Sequence, residues 1–234
     1  MKRQCCAMND QLPVPPSDLR ARVTGTPDEE WFISSGICTV NEWKKALASL
    51  GMGLSDFNTV VDYGCGCGRA LRQLLPKLYN NQRLIGIDTD VEAIKWINEN
   101  ISDVEAYELN ANPPCSAIDD HSVNLVLCHS VFTHLPEDVQ FAWLSELARI
   151  LVDGGVAIIS IHGINTIYHN FINIQSTGNK KGAYRYLKTM QNDGFLYNKG
   201  KGEFETELVD YYGSTFHDIV YVLESWTSNF EVMA

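Results

Sequence analysis

The chain has 234 residues, 45% of them hydrophobic, which supports a folded core and excludes a disordered chain. Its formal net charge is -11, which speaks against a duplex-binding protein and against general affinity for anionic membranes. Seven scattered cysteines form no pair of C-x-x-C knuckles, so no zinc site is expected.

The opening MKRQCCAMNDQLPVPP has no apolar signal core, and no apolar run reaches the ~18 residues that a membrane span needs. The expectation is a cytoplasmic chain with reduced thiols and no membrane partner. Residues 1–17 read as a proline-rich arm. DEEWFISSG (28–36) reads as a short helix stopped by Gly36, and NEWKKALASLGMG (41–53) as a second helix with Trp43, Ala46, Leu47 and Leu50 on one side. NTVVDYG (58–64) is a β-branched strand running into glycines, followed by a helix RALRQLL (69–75) that Pro76 ends. RLIGIDTD (83–90) is a second strand, and Asp90 caps the helix VEAIKWINEN (91–100). VEAYELN (104–110) and SVNLVLCHS (122–130) are the third and fourth strands. PEDVQFAWLSELARIL (136–151) is the clearest helix, with acids in its first turn and Val139, Trp143, Leu147 and Ile150 on one face. DGG turns the chain into a fifth strand, VAIISIHG (156–163).

Residues 164–202, rich in Asn, Gly, Lys and Tyr, read as a long insertion or lid. HDIVYVLESWTSN (217–229) reads as a helix and FEVMA (230–234) as the start of a strand. The alternation of strand and helix predicts an α/β fold: a doubly wound, mostly parallel sheet with helices on both faces. The expected division is an arm and helices over 1–54, the sheet core over 55–163, and lid and helix–strand elements of the same domain over 164–234.

In such sheets ligands bind beyond the carboxyl ends of the strands. VVDYGCGCGR (60–69) sits at one such end, and its glycines let backbone approach a ligand closely. The spacing D-x-G-x-G-x-G is neither the G-x-G-x-x-G of nicotinamide loops nor a P-loop, because Arg69 follows Gly68. C-x-C alone lacks the further ligands a metal requires, so Cys65 and Cys67 read as small loop residues, with a helix N-terminus nearby that can lower a thiol pKa.

The segment resembles the class I S-adenosylmethionine-dependent methyltransferases. VVDYGCGCG matches their first motif and LIGIDTD their second; SVNLVLCHSVFTHLPED is similar to their fourth-strand segment, and LARILVDGGVAIISI to their leader helix, double glycine and fifth strand. LRARVTGTPDEEWFISSG, NPP and HSVFTHLPE add a looser resemblance to bacterial methyltransferases associated with surface-glycan genes.

The resemblance implies S-adenosylmethionine as cofactor, a Rossmann-like fold, and roles for particular residues. Gly64, Cys65, Gly66 and Gly68 would lie along the methionine and ribose parts, with Asp62 orienting the loop or the amino group. Asp88 would hold the ribose, Thr89 would lie beside the adenine, and Asn110, Ala111 or Asn112 would flank the adenine edge. His129 and Ser130 would meet the sulfonium end. Two departures stand out: Asn124 replaces an acid before the fourth strand, and the family's final antiparallel strand has no counterpart after FEVMA.

A base near the strand ends would come from His134 or His162, though some members of the family use none. Arg20 and Arg22 offer a carboxylate clamp or are solvated arm residues; Tyr184, Tyr186, Tyr197, Tyr211 and Tyr212 line an acceptor pocket or fill the core. The expected acceptor is a small molecule or glycan. Alternatives are a nucleic-acid methyltransferase, which the charge and the misplaced Asn112-Pro113-Pro114 disfavour, a protein methyltransferase, a nicotinamide-dependent oxidoreductase, or a non-catalytic cofactor-binding module.

Overall fold

The computed structural model describes residues 12–78, 81–169, 180–199 and 211–233. The chain divides into two compact units, Met1–His129 with Arg149–Ile158, and Ser130–Ala148 with Ile159–Ala234.

The first unit begins with α1 (Ser17–Thr24) and α2 (Glu29–Ser49), whose N-cap Asp28 accepts the amide of Trp31. The sequence suggests two helices here, but the helix runs through Gly36. A Cβ on Gly36 would lie 2.2 Å from the Arg69 carbonyl oxygen, so the glycine is a seat for a neighbouring backbone and not a stop.

The five-stranded sheet is built from β1 (Thr59–Tyr63), β2 (Arg83–Asp88), β3 (Glu105–Glu108), β4 (Val123–Cys128) and β5 (Leu151–Ile159), in the order β3-β2-β1-β4-β5. β1 runs parallel to both β2 and β4, and β2 to β3. The order reverses at β1 and β4, which is the switch point where such sheets take ligands. Val60, Val61, Asp62 and Tyr63 are all buried, so both faces of β1 are covered, as the apolar strand pattern requires. Asn124 Oδ1 accepts the amide of Thr59 at 2.9 Å and ties the starts of β4 and β1, which gives that departure from the family a structural use.

The helix after β1 is shorter than its sequence suggests. α3 spans only Leu71–Leu74, then Leu75–Lys77 tightens into a 3-10 turn around Pro76. Four residues sum to little macrodipole, so anion attraction by this helix is not a useful argument. α4 (Val91–Asn100) starts where Asp90 accepts the amides of Glu92 and Ala93. α2, α3 and α4 pack Trp43, Leu47, Leu71, Leu74, Ile94 and Ile97 into one apolar cluster with the sheet. The buried Arg72 guanidinium donates to the carbonyls of Leu12 and Pro13 at 2.8 and 3.0 Å and lies over the Phe32 ring.

α5 (Glu137–Ile150) buries Val139, Trp143, Leu147 and Ile150, the face read from its periodicity. β5 starts earlier than expected, at Leu151, and Gly154 bends it with φ +75°.

Of residues 164–202, expected as an insertion or lid, 170–179 and 200–202 lie outside the described residues. Residues 164–169 form α6, and α7 (Lys180–Asp193), β6 (Phe195–Asn198), β7 (Ser214–His217) and α8 (Ile219–Ser225) follow. β6 and β7 pair antiparallel as a separate two-stranded sheet over Ile167, Met190 and Phe216. FEVMA is not a strand at 230–233, and Ala234 lies outside the described residues. Among the described residues, no helix is long and apolar enough to cross a membrane.

Candidate cofactor site

The glycine loop leaves β1 with Gly64, Gly66 and Gly68 at φ +78°, +52° and +86°, a left-handed backbone that residues with a side chain rarely adopt. The amides of Gly64 and Cys65 donate to the Ile87 carbonyl at 2.8 and 3.2 Å. The amide of Gly66 donates to Asp88 Oδ2 at 2.7 Å, and the amide of Asp90 to Asp88 Oδ1 at 2.9 Å. One carboxylate thus staples the loop after β1 to the loop after β2. Burial pushes the Asp88 pKa up, and these backbone N–H bonds oppose the rise.

Asp62, 2% exposed, ends up under the loop. Its Oδ2 has no hydrogen-bond partner among the described residues. Burial raises its pKa to about 7, against the pull of the Arg69 charge. Arg69 Nη1 donates to Thr39 Oγ1 at 2.9 Å, and Nη2 lies 3.3 Å from His129 Nδ1. His129 stands at the end of β4 with its ring edge-on to Trp43, centroids 6.4 Å apart.

α1 closes against the same loop. A Cβ on Gly66 would meet Val23 Cγ2 at 2.5 Å. Arg22 pairs with Asp90 and Glu92, and Arg20 donates to the carbonyls of Pro15 and Pro27. Both arginines are therefore structural ties, neither a solvated arm nor a free carboxylate clamp.

The two thiols are buried. Cys67 donates to the Leu19 carbonyl, and Cys65 lies where a Cβ on Gly86 would come within 2.9 Å of its sulfur. Burial pushes the Cys67 pKa up to about 12 and that of Cys65 well above the ordinary thiol value, the opposite of activation by a helix N-terminus. Cys65 borders the loop through its backbone.

Thr89 is exposed next to Asp88. The amide of Leu109 donates to the Asp88 carbonyl at 2.8 Å, which sets the start of the loop carrying Asn110, Ala111 and Asn112. That loop, which includes Pro113-Pro114, is held by Arg149, whose guanidinium reaches the carbonyls of Cys115 and Ile118 and the Asp120 carboxylate. So Asp62, Gly64, Cys65, Gly66, Gly68, Asp88 and His129 lie at one end of the first unit's parallel strands. Thr39, Trp43 and Arg69 join them, and the sequence reading gives none of the three a place in the site. Arg69 sits one residue past the last glycine, but Thr39 and Trp43 lie on a helix with no motif of their own.

Ser130 opens the second unit at φ +63°, its amide on Ser160 Oγ at 2.8 Å and its hydroxyl 3.4 Å from His134 Nε2. His134 Nδ1 lies 2.7 Å from the Gly213 carbonyl oxygen, and its ring stacks on Tyr212 at 4.2 Å. The His162 ring meets His134 edge-on at 6.3 Å, and its Nδ1 has no partner among the described residues. Burial lowers the pKa of both, with the Gly213 and Thr215 backbones opposing. Tyr212 meets the His134 ring, Tyr184 is exposed, Tyr186 packs against the second unit's core, and Tyr197 donates to the Tyr211 carbonyl. Among the described residues there is no group of three or more His, Cys, Asp or Glu placed to hold a metal ion.

Residues 60–155 match the methyltransferase domain family model. The match runs from the glycine loop through Asp88 to the double glycine. Within this stretch the residues present would fit S-adenosylmethionine, the cofactor that the sequence resemblance implies: a buried carboxylate oxygen with no partner among the described residues for an amino group, a carboxylate at the end of β2 for ribose, and a loop whose side chains stay out of the way. The chain is 32% identical over 110 residues to trans-aconitate 2-methyltransferase of Azoarcus sp. strain BH72, covering 46% of this chain and 40% of that one. It is 29% identical over 132 residues to O-methyltransferase 3 of Dictyostelium discoideum, covering 53% and 30%. It thus spans two fifths or less of the length of these curated relatives. A solved S-adenosylmethionine-dependent methyltransferase from Aquifex aeolicus aligns with TM-score 0.46 at 18% identity, over 64% of this chain and 74% of that one.

Proposed function

We propose that the chain is an S-adenosylmethionine-dependent methyltransferase that methylates an oxygen or nitrogen of a small molecule or glycan, with residues 55–163 as its cofactor core. The observation that carries the reading is the Asp88 staple. An ionised carboxylate has about four acceptor sites. The amides of Gly66 and Asp90 take one on each oxygen, with the Thr89 amide also acting on the carboxylate, and the remaining acceptor capacity suits the hydroxyls of a ribose. Asp62 Oδ2 is the matching acceptor for a cationic amino group. The relatives' names, a trans-aconitate methyltransferase and an O-methyltransferase, favour a small acceptor and oxygen in particular.

When bound, the cofactor supplies an electrophilic methyl group on sulfur. The chain's share is to hold it and to remove a proton from the acceptor where one must leave. His134 suits the second task. The Gly213 carbonyl can only accept, so His134 Nδ1 carries the hydrogen and Nε2 keeps its lone pair. Burial keeps this ring neutral near pH 7. His162, whose Nδ1 has no partner among the described residues, is the second candidate.

The test is thermal denaturation with S-adenosylhomocysteine against NAD. A ligand at 100 times its Kd stabilises by about 2.7 kcal/mol. Stabilisation by NAD alone would overturn the reading in favour of an oxidoreductase. Labelled methyl transfer into a cell extract then separates an enzyme from a binding module. His134→Gln should lower kcat about 100-fold or more while S-adenosylhomocysteine affinity stays within about twofold.

A further inference from the structure

We infer that Arg69 is a positioning residue that fixes His129 as a neutral imidazole with its single proton on Nε2. The argument is one of donor and acceptor inventory. A guanidinium has five N–H donors and no acceptor, and it does not lose its proton in proteins. Arg69 Nη2 lies 3.3 Å from His129 Nδ1, so the hydrogen between them belongs to arginine and Nδ1 must present a lone pair. An imidazole with a lone pair on Nδ1 is either neutral with Nε2–H or, rarely, an anion.

The surroundings hold this pairing in place. Arg69 cannot swing away freely: its Nη1 is bonded to the buried Thr39 hydroxyl, and its own carbonyl sits against Gly36. Trp43, one turn beyond Thr39 on α2, stands edge-on to the His129 ring. Burial lowers the Arg69 pKa, and the charges of Asp62 from β1 and Glu42 from α2 oppose this; from so high a starting value the guanidinium keeps its proton. His129 therefore faces a fixed cation, and taking up a second proton would put two cations in contact and break the hydrogen bond.

The two histidines differ in tautomer. His134 presents a lone pair at Nε2, and His129 presents an N–H at Nε2. His129 thus offers no lone pair at Nε2 and cannot take a proton from an acceptor there. This catalytic meaning rests on the proposed methyltransferase reading; the tautomer itself does not.

The experiment is long-range nitrogen–proton NMR of the histidine rings in the cofactor-free 234-residue chain, with His129→Asn used to assign the signal. Spectra are taken from about pH 8 to about pH 5.5, across the range in which an ordinary imidazole charges near pKa 6.5. In the wild type, His129 should show the neutral Nε2–H pattern throughout. In Arg69→Met it should titrate and populate both tautomers. A wild-type ring with Nδ1–H, a wild-type ring that charges in this range, or an Arg69→Met spectrum identical to wild type would each overturn the inference. Should the Met variant not fold, the wild-type spectrum alone decides. Failure of the cofactor reading would show separately, as absence of S-adenosylhomocysteine binding with this spectrum unchanged.

Discussion

Asp88 Oδ2 accepts the amide of Gly66 at 2.7 Å, and this bond ties the glycine loop to the tip of β2. Asp88→Ala removes both the loop's anchor and the acceptors for a ribose. Two charge-assisted hydrogen bonds are worth about 3 kcal/mol together, so S-adenosylhomocysteine affinity should fall about 100-fold. Asp88→Asn, which keeps one acceptor oxygen, should fall in between. Isothermal titration checks both, and affinities within threefold of wild type would remove Asp88 from the site.

Gly66→Ala should destabilise the protein by about 2–3 kcal/mol, from an added methyl in a filled space and from the left-handed backbone. The added Cβ would lie 2.5 Å from Val23 Cγ2. In a Val23→Ala background the cost should drop to about 1 kcal/mol, the backbone part alone. Chemical denaturation of the four proteins measures the coupling, and additivity would mean that α1 does not press on the loop.

Asp62 gives the cofactor-free protein a pH dependence of defined sign. Its folded pKa of about 7 lies above the ordinary 3.8, so the folded state holds this proton more tightly than the unfolded chain. Stability from this group is present at low pH and is lost as pH rises between those two values. The loss is at most about 4 kcal/mol above pH 7, and Asp62→Asn should flatten that slope. Urea midpoints for wild type and variant across this range decide it; equal slopes would mean that Asp62 is already ionised well below neutrality.

His217 acts in the opposite sense. It is 1% exposed, with Nε2 against Gln140 Oε1 at 2.9 Å, and burial lowers its pKa to about 4. Stability from this group is full above the unfolded pKa of about 6.5 and is lost as pH falls through that interval, by about 3 kcal/mol in all. Trp226, edge-on to His217 at 5.7 Å, reports the change by fluorescence. His217→Gln should unfold at a pH below that of wild type; an unchanged acid midpoint would count against the assignment.

The five-stranded sheet and the loop at its end were legible because their signals are local: β-branched runs, a glycine spacing, an acid two residues past a strand. Asp90 was readable as a cap for the same reason, since its partners are Glu92 and Ala93. Gly36 was misread because its reason for being glycine is Arg69, far along the chain. The β6–β7 pair escaped because two four-residue strands carry too little pattern, and their partnership appears only when the chain folds back. FEVMA, conversely, has a strand's composition but no strand to pair with at 230–233. The Thr39–Arg69–His129 chain was invisible in principle, because three separate elements supply it.

The buried Arg72 bond to the carbonyls of Leu12 and Pro13 has a consequence for how the molecule opens. Peeling this segment away would take two acceptors from a desolvated cation, at a cost of several kcal/mol. Fraying of the segment before α1 is therefore coupled to loosening of the core around Phe32. The amides of α1 should exchange with solvent deuterium at rates near those of β1, as one cooperative unit with the sheet, and not at the fast rates of a loose peripheral helix.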